Sequence, residues 1–255
     1  MFVNRRELVA LAAGGVAAAN ALAPARQARA ASGAKIKAIA FDGFPIIDPR
    51  PVAARTEEIF PGKGVELGNA WRTRQFEYTW LRTLGGSYVD FWQVTEESLM
   101  FAAKLLKIEL SADQRDQLLQ SYLGLKAWPD VLPALKQLRD AGIRMAFLSN
   151  LTDTMLDAAV KNSGLEGFLE GHLSTDKVSA FKPDPRAYQM GLDAFNLKKE
   201  EIAFAAFAGW DAAGARWFGY PTFWVNRLNA PVEELNVVPD GIGSGLGDLV
   251  KFVTA

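Results

Sequence analysis

Ile36-Lys37-Ala38-Ile39-Ala40-Phe41-Asp42-Gly43-Phe44-Pro45 is a short β-prone apolar run that ends in one carboxylate and then in turn formers. Such a run predicts a buried central strand of a parallel sheet that delivers Asp42 to its carboxyl end. In open α/β sheets, that edge is where ligands bind. A carboxylate placed there either caps a turn or helix, or does chemistry. The stretch by itself leaves both readings open.

Working outward, the chain beyond Trp128-Pro129-Asp130 alternates between helix and strand. A helix is predicted over roughly 129–141, a strand over Ile143–Leu148 ending in Ser149-Asn150, and a helix over about 152–163. A helix follows Lys182-Pro183-Asp184, then a strand over Ile202–Phe207, a helix over Trp210–Phe218 and a strand over Thr222–Val225. This order predicts an α/β fold, a doubly wound, Rossmann-like parallel sheet. Between the first strand and this part lie helical periodicities over about 65–83, 91–106 and 112–122, broken by Gly85-Gly86 and by Ser111 as an N-cap. They read as an inserted helical cap, 49–125, over a core formed by 34–48 and 126–255. Gly241–Gly247 reads as a glycine-rich loop without the Lys-Ser/Thr of a phosphate cradle.

In that fold, Asp42, Ser149-Asn150, Lys182 and Asp211 all converge on one crevice. Taken singly, Ser149, Asn150 or Asp211 could cap the helix that follows, and Lys182 could be a solvated loop lysine. Their joint occurrence, in this order, points to a site.

Composition narrows the chemistry. A formal net charge of -1 gives no support for nucleic-acid or anionic-membrane binding. The chain has no cysteine and a single histidine, His172, which rules out disulfides, thiolate nucleophiles and Cys-ligated zinc. His172 matches no functional pattern and is expected to be structural. Catalysis must therefore rest on Asp, Glu, Lys, Arg, Tyr, Ser or Asn.

Residues 1–30 read as an address. Arg5-Arg6 precede a mildly apolar Ala/Gly-rich stretch, and Ala28-Arg29-Ala30 forms a small-x-small cleavage site before Ala31. The paired arginines resemble a twin-arginine signal, so a periplasmic protein starting near Ala31, with no membrane span after cleavage, is expected.

The order and content of these motifs resemble the haloacid dehalogenase superfamily and, within it, the L-2-haloacid dehalogenases. The resemblance covers the whole chain after the signal. Trp71-Arg72-Thr73-Arg74-Gln75-Phe76-Glu77-Tyr78-Thr79-Trp80-Leu81-Arg82 is similar to that branch's arginine-bearing cap helix. Leu148-Ser149-Asn150, Phe181-Lys182-Pro183-Asp184, Tyr188 and Trp210-Asp211-Ala212-Ala213-Gly214-Ala215 match as well. The cap helix and the Trp-Asp motif are specific to the branch, whereas the Asp, Ser and Lys motifs indicate only the superfamily.

The resemblance implies that Asp42 displaces halide from the α-carbon of a 2-haloacid, forming an ester that water then hydrolyses. It implies that Arg72 receives the halide with Asn150 beside it, and that Ser149 holds the substrate carboxylate. Lys182 and Asp211 flank Asp42 and position water, with Tyr188 in support. Phe44, Phe76, Phe91, Tyr188 and Trp210 form the implied substrate-binding set. A homodimer is also implied. Asp42, Asp211 and the substrate carboxylate bring three negative charges together, and each like pair at 4 Å costs on the order of 4 kcal/mol at an effective dielectric of 20. Two cations, Lys182 and Arg72, answer that charge. Arg74 and Arg82 are expected to be surface residues. Phosphatase chemistry requires a second Asp two residues after the nucleophile, and Phe44 stands there, so no metal and no cofactor are expected.

Several positions depart from the dehalogenase pattern. Phe44 replaces a tyrosine, Pro45 a glycine and Ile46 a threonine, while Ala206 and Ala208 replace a serine and an asparagine of the water site. Slow ester hydrolysis is therefore expected, with a small-carboxylate binder without turnover, or a redirected hydrolase, as the alternatives.

Overall fold

The computed structural model describes residues 35–255, and the signal expected over 1–30 lies outside them. The sheet consists of β1 (Ala38–Phe41), β2 (Arg144–Ser149), β3 (His172–Ser174), β4 (Ile202–Ala206), β5 (Thr222–Val225) and β6 (Gly241–Gly243). All pair in parallel, in the order β3-β2-β1-β4-β5-β6. Strand order reverses at β1, so the crevice opens beside the residue that follows it.

Burial on both faces explains the unbroken apolar runs. Ile39 and Phe41 belong with Phe147, Ala205, Phe223 and Val225 to one core layer; Ala38 and Ala40 belong with Leu148, Phe204, Ala206 and Trp224 to the other. The period of two splits each strand between the layers. Small residues in the second layer leave room for Tyr188, Phe204 and Trp224, and each such fully buried aromatic contributes about 2–3 kcal/mol.

From β1 the chain enters a single helical turn, α1 (Gly43–Ile46). Then come α2 (Arg50–Ile59), α3 (Gly64–Leu84), α4 (Phe91–Leu105) and α5 (Ala112–Leu123), with α3 packed between α2 and α4. Ser111 caps α5 through a capping box, as its position predicts. Helix α6 (Val131–Asp140) leads into β2, α7 (Asp153–Ser163) follows it, and α8 (Pro185–Phe195), α9 (Gly209–Phe218) and α10 (Leu246–Thr254) complete the chain. Insertion and sheet form one compact unit.

Besides the single turn α1, four elements go beyond what the sequence predicts. Helix α2 begins at Arg50-Pro51, and proline in a first helical turn is a start signal. Strand β3 and helix α10 are too short or too late in the chain to stand out. Gly241–Gly247 is not wholly loop: its first three residues form β6. A side chain at Gly241 would sit 2.6 Å from the Phe223 ring, so glycine here serves close packing. His172 opens the edge strand β3, and its Nε2 meets Asp157 at 2.8 Å.

Candidate active site

The centre of the site is a buried carboxylate–ammonium–carboxylate relay. Asp42 leaves β1 with its N–H bonded to Ala205 O at 3.0 Å, which continues the sheet ladder and fixes its direction. Its Oδ2 accepts the Phe44 N–H at a long 3.4 Å, capping α1, while Oδ1 accepts from Lys182 Nζ at 2.7 Å. Lys182 Nζ also donates to Asp211 Oδ2 at 2.6 Å. Tyr188 donates its hydroxyl to Asp211 Oδ1 at 2.7 Å. Asp42 thus both caps and pairs.

Lys182 and Asp211 are each 1% exposed, so solvent screens this relay little. Burial pulls the Lys182 ammonium down, but the Asp211 and Asp42 carboxylates pull it up further, and the net direction is up. Burial pushes Asp211 up to about 6; Lys182 opposes this, and the like charge of Asp42 adds to it. Burial and the same two carboxylates hold the Tyr188 hydroxyl protonated well past its ordinary range, so it serves as a fixed donor. Gly214 of α9 makes this possible, because a side chain there would meet Tyr188 Oη at 2.5 Å.

Ser149 and Asn150 do not cap α7; Thr152 does. Ser149 Oγ accepts the Leu151 N–H at 3.2 Å, and Asn150 Oδ1 accepts the Lys182 N–H at 3.0 Å, which ties the lysine's backbone to the end of β2. Asp211 does not cap α9 either; Ala208 stands at that position and Asp211 lies in the first turn.

Asp42 opens onto a cavity of about 220 Å³ between the sheet edge and the helical insertion. Phe44, Arg72, Phe76, Phe91, Ser149, Asn150, Lys182 and Trp210 all line it, as the sequence reading expects. Two expected residues do not. Tyr188, counted among the substrate-binding set, is fully buried and off the wall, because its hydroxyl is spent on Asp211. Asp211 is likewise off the wall and reaches it only through Lys182.

Phe76 and Trp80 both pack on Trp210, at 5.3 and 5.5 Å between ring centroids, so α3 lays aromatic cover over the start of α9. Arg74 pairs with Glu77 at 2.9 Å and Arg82 with Glu97 at 2.5 Å. Arg72 is exposed at the cavity and, among the described residues, has no hydrogen-bond or ion-pair partner. Of the substituted positions, Ala208 lines the cavity, whereas Ile46 and Ala206 are fully buried in the two core layers. Among the described residues, no three His, Cys, Asp or Glu side chains gather as a metal cluster.

Several further wall residues have no role assigned by the sequence: Val52 and Thr56 of α2, Gln75 and Trp71 of α3, Tyr122 of α5, and Phe207. Trp71 and Gln75 are four apart and share one buried face of α3, so helical spacing links them to each other but not to the neighbouring face of Arg72 and Phe76. Nothing in the sequence pointed to Tyr122, which reaches Gln75 across 47 residues at 3.3 Å.

A family model described as a haloacid dehalogenase-like hydrolase matches residues 12–219. A protein of Pseudomonas sp. (strain YL), named as an (S)-2-haloacid dehalogenase, is 41% identical over 222 residues, 86% of this chain and 96% of its own length. A crystal structure of an L-2-haloacid dehalogenase superposes with a TM-score of 0.85 at 41% identity, covering 87% of this chain and all of that one. An L-2-haloacid dehalogenase from Xanthobacter autotrophicus, solved with chloropropionic acid covalently bound, superposes with a TM-score of 0.79 at 32% identity, covering 86% of this chain and 99% of that one.

Proposed function

Because this chain belongs to the haloacid dehalogenase-like hydrolases, we propose that it dehalogenates short L-2-haloacids to 2-hydroxyacids through an ester on Asp42. The observation that carries the reading is the buried Asp42–Lys182–Asp211 relay opening on an apolar cavity that also holds the unpaired Arg72. A relative of the same family with chloropropionic acid covalently bound supports the covalent route.

In this reading, Asp42 Oδ2, held only by the long Phe44 contact, attacks the α-carbon. The new C–O bond forms as the carbon–halogen bond breaks, and the halide leaves with the electron pair towards Arg72. A planar, always-charged guanidinium suits a diffuse halide. Ser149 holds the substrate carboxylate, and Asn150 stands beside Arg72 at the departing halide. Water then adds to the ester carbonyl carbon of Asp42, the bond from that carbon to the substrate oxygen breaks, the 2-hydroxyacid leaves with a proton on that oxygen, and Asp42 returns to carboxylate with one proton released overall. The water side is thin: Ala208 offers no polar group at the wall, and both Asp211 oxygens are already engaged. The ester is therefore long-lived.

The test follows halide release and intact mass together with L-2-chloropropionate and no added metal. A burst of one equivalent with an adduct on Asp42, absent in Asp42→Asn, is the expected result. Linear release from the first turnover removes the long-lived ester but keeps the dehalogenase. Neither halide nor adduct overturns the reading and favours a carboxylate binder. Export to the periplasm through residues 1–30 and a homodimer belong to the same reading. A periplasmic protein still beginning at Met1 overturns signal cleavage, and a monomer by light scattering overturns the dimer.

A further inference from the structure

We propose that Trp128 is a positioning residue for Asp42, holding the turn behind the nucleophile rather than touching substrate; this rests on the dehalogenase reading above. The turn that follows Asp42, α1, is one turn long, so its last carbonyls lack partners within the helix. Two side chains and one amide supply them. Trp128 Nε1 donates to Phe44 O at 3.0 Å and to Ile47 O at 3.1 Å. The Trp128 N–H donates to Ile46 O at 3.0 Å, and Arg227 Nη2 to Pro45 O at 2.9 Å. Every carbonyl from Phe44 to Ile47 is held from outside the turn.

The holder is itself held. The guanidiniums of Arg50 and Arg227 stack on the Trp128 ring at 4.5 and 4.6 Å from its centroid. Arg50 belongs to α2 and is tied to Asp48; Arg227 belongs to the loop after β5 and is tied to Asp130 at 3.0 Å. Both chain crossings between sheet and insertion pass here, where Ile47 bridges Ala127 and Asp48 N–H meets Lys126 O at 2.8 Å. Trp128 therefore joins the insertion, the β5 loop and the nucleophile turn. With Gly43 and Pro45 in it, that turn has few other means of holding Asp42 and the Phe44 wall in register.

The test is Trp128→Phe, which keeps an aromatic ring and removes the donor. First-turnover halide release by rapid quench should slow about tenfold at saturating substrate, with the half-saturating concentration of that first turnover within about twofold, since misplacing a reacting group by a fraction of an ångström acts on the displacement step itself. Amide hydrogen exchange at Ile47 and Asp48 should quicken by a similar factor. A purely structural role lowers Tm but leaves the first-turnover rate per folded site unchanged, and that result overturns the proposal. If Trp128→Phe does not fold, Arg50 decides through exchange, because it also lines the cavity and its effect on rate is ambiguous: Arg50→Gln should quicken amide exchange at Ile47 and Arg50→Lys should restore part of it, and equal exchange in both overturns the proposal. If the wild type releases no halide, the dehalogenase reading fails on its own. Exchange at Ile47 then judges the clamp, and an unchanged rate in Trp128→Phe sinks it.

Discussion

The two walls of the cavity hold their charges in opposite ways. On the sheet edge, Lys182 is 1% exposed, and its ammonium is shared between two carboxylates at 2.7 and 2.6 Å. On the helical insertion, Arg72 is exposed and unpaired among the described residues. A buried charge must be matched during folding or it destabilises the fold, whereas an exposed guanidinium can stay free until an anion arrives. One wall is built in the free protein; in the proposed reaction, the other is completed by the substrate's anion.

Lys182→Met should break the built wall with the largest effect. It leaves two buried carboxylates without a cation, so a loss of about 3–5 kcal/mol of stability is expected in urea unfolding, together with loss of halide release. Unfolding within experimental error of wild type would mean that the relay is not structural.

Arg72→Ala should act on the other wall in the reverse sense. Halide release should fall about hundredfold, as when a charge-stabilising donor is removed, while Tm stays where it was. If Tm falls with activity, the contrast between the walls is wrong.

The third effect is a pH limb. The Asp211 carboxyl is raised from 3.8 to about 6 in the folded protein, chiefly by burial. The folded state therefore holds more protons in that window, and this group weakens the fold as pH climbs from about 4 to 6. Below about 6, Asp211 is mostly neutral and the Lys182 charge falls on Asp42 alone, which in the proposed reaction makes Asp42 a poorer nucleophile. An acid limb in the first-turnover rate near pH 6, lost in Asp211→Asn, is the expected profile. A limb that survives in that variant belongs to another group.

Smallest is a gain. Ala208→Asn places an amide at a wall position that alanine leaves apolar, and the halide burst should shrink as steady-state turnover rises by at most about tenfold. An unchanged burst would move the slow step away from water positioning. Ile46 and Ala206 are the contrasting positions: both are fully buried in the core, so a polar side chain there should cost stability.

Among the elements of the fold, β1, β2, β4 and β5 were legible because strands buried on both faces must be apolar throughout. Helices α3 to α9 were legible by period and caps. Helix α2 and strands β3 and β6 were not. Their signals are a proline in a first turn, a three-residue edge strand and glycines that read as loop but serve Phe223. In the site, Asp42, Ser149, Asn150 and Asp211 follow from where strands end, since a parallel sheet gathers those ends at one edge, whereas Lys182 reads only as part of a loop between elements.

The sequence alone determined this sheet, its order of motifs and the residues brought to its edge, because these depend on periodicity and strand ends, which are local. Tertiary structure decided which of them face the cavity. It set Tyr188 and Asp211 behind Lys182, buried Ile46 and Ala206 in the core while leaving Ala208 at the wall, and put Trp128 under the Asp42 turn. Those outcomes depend on the direction of side chains brought together from distant parts of the chain, and no spacing along the sequence encodes that direction.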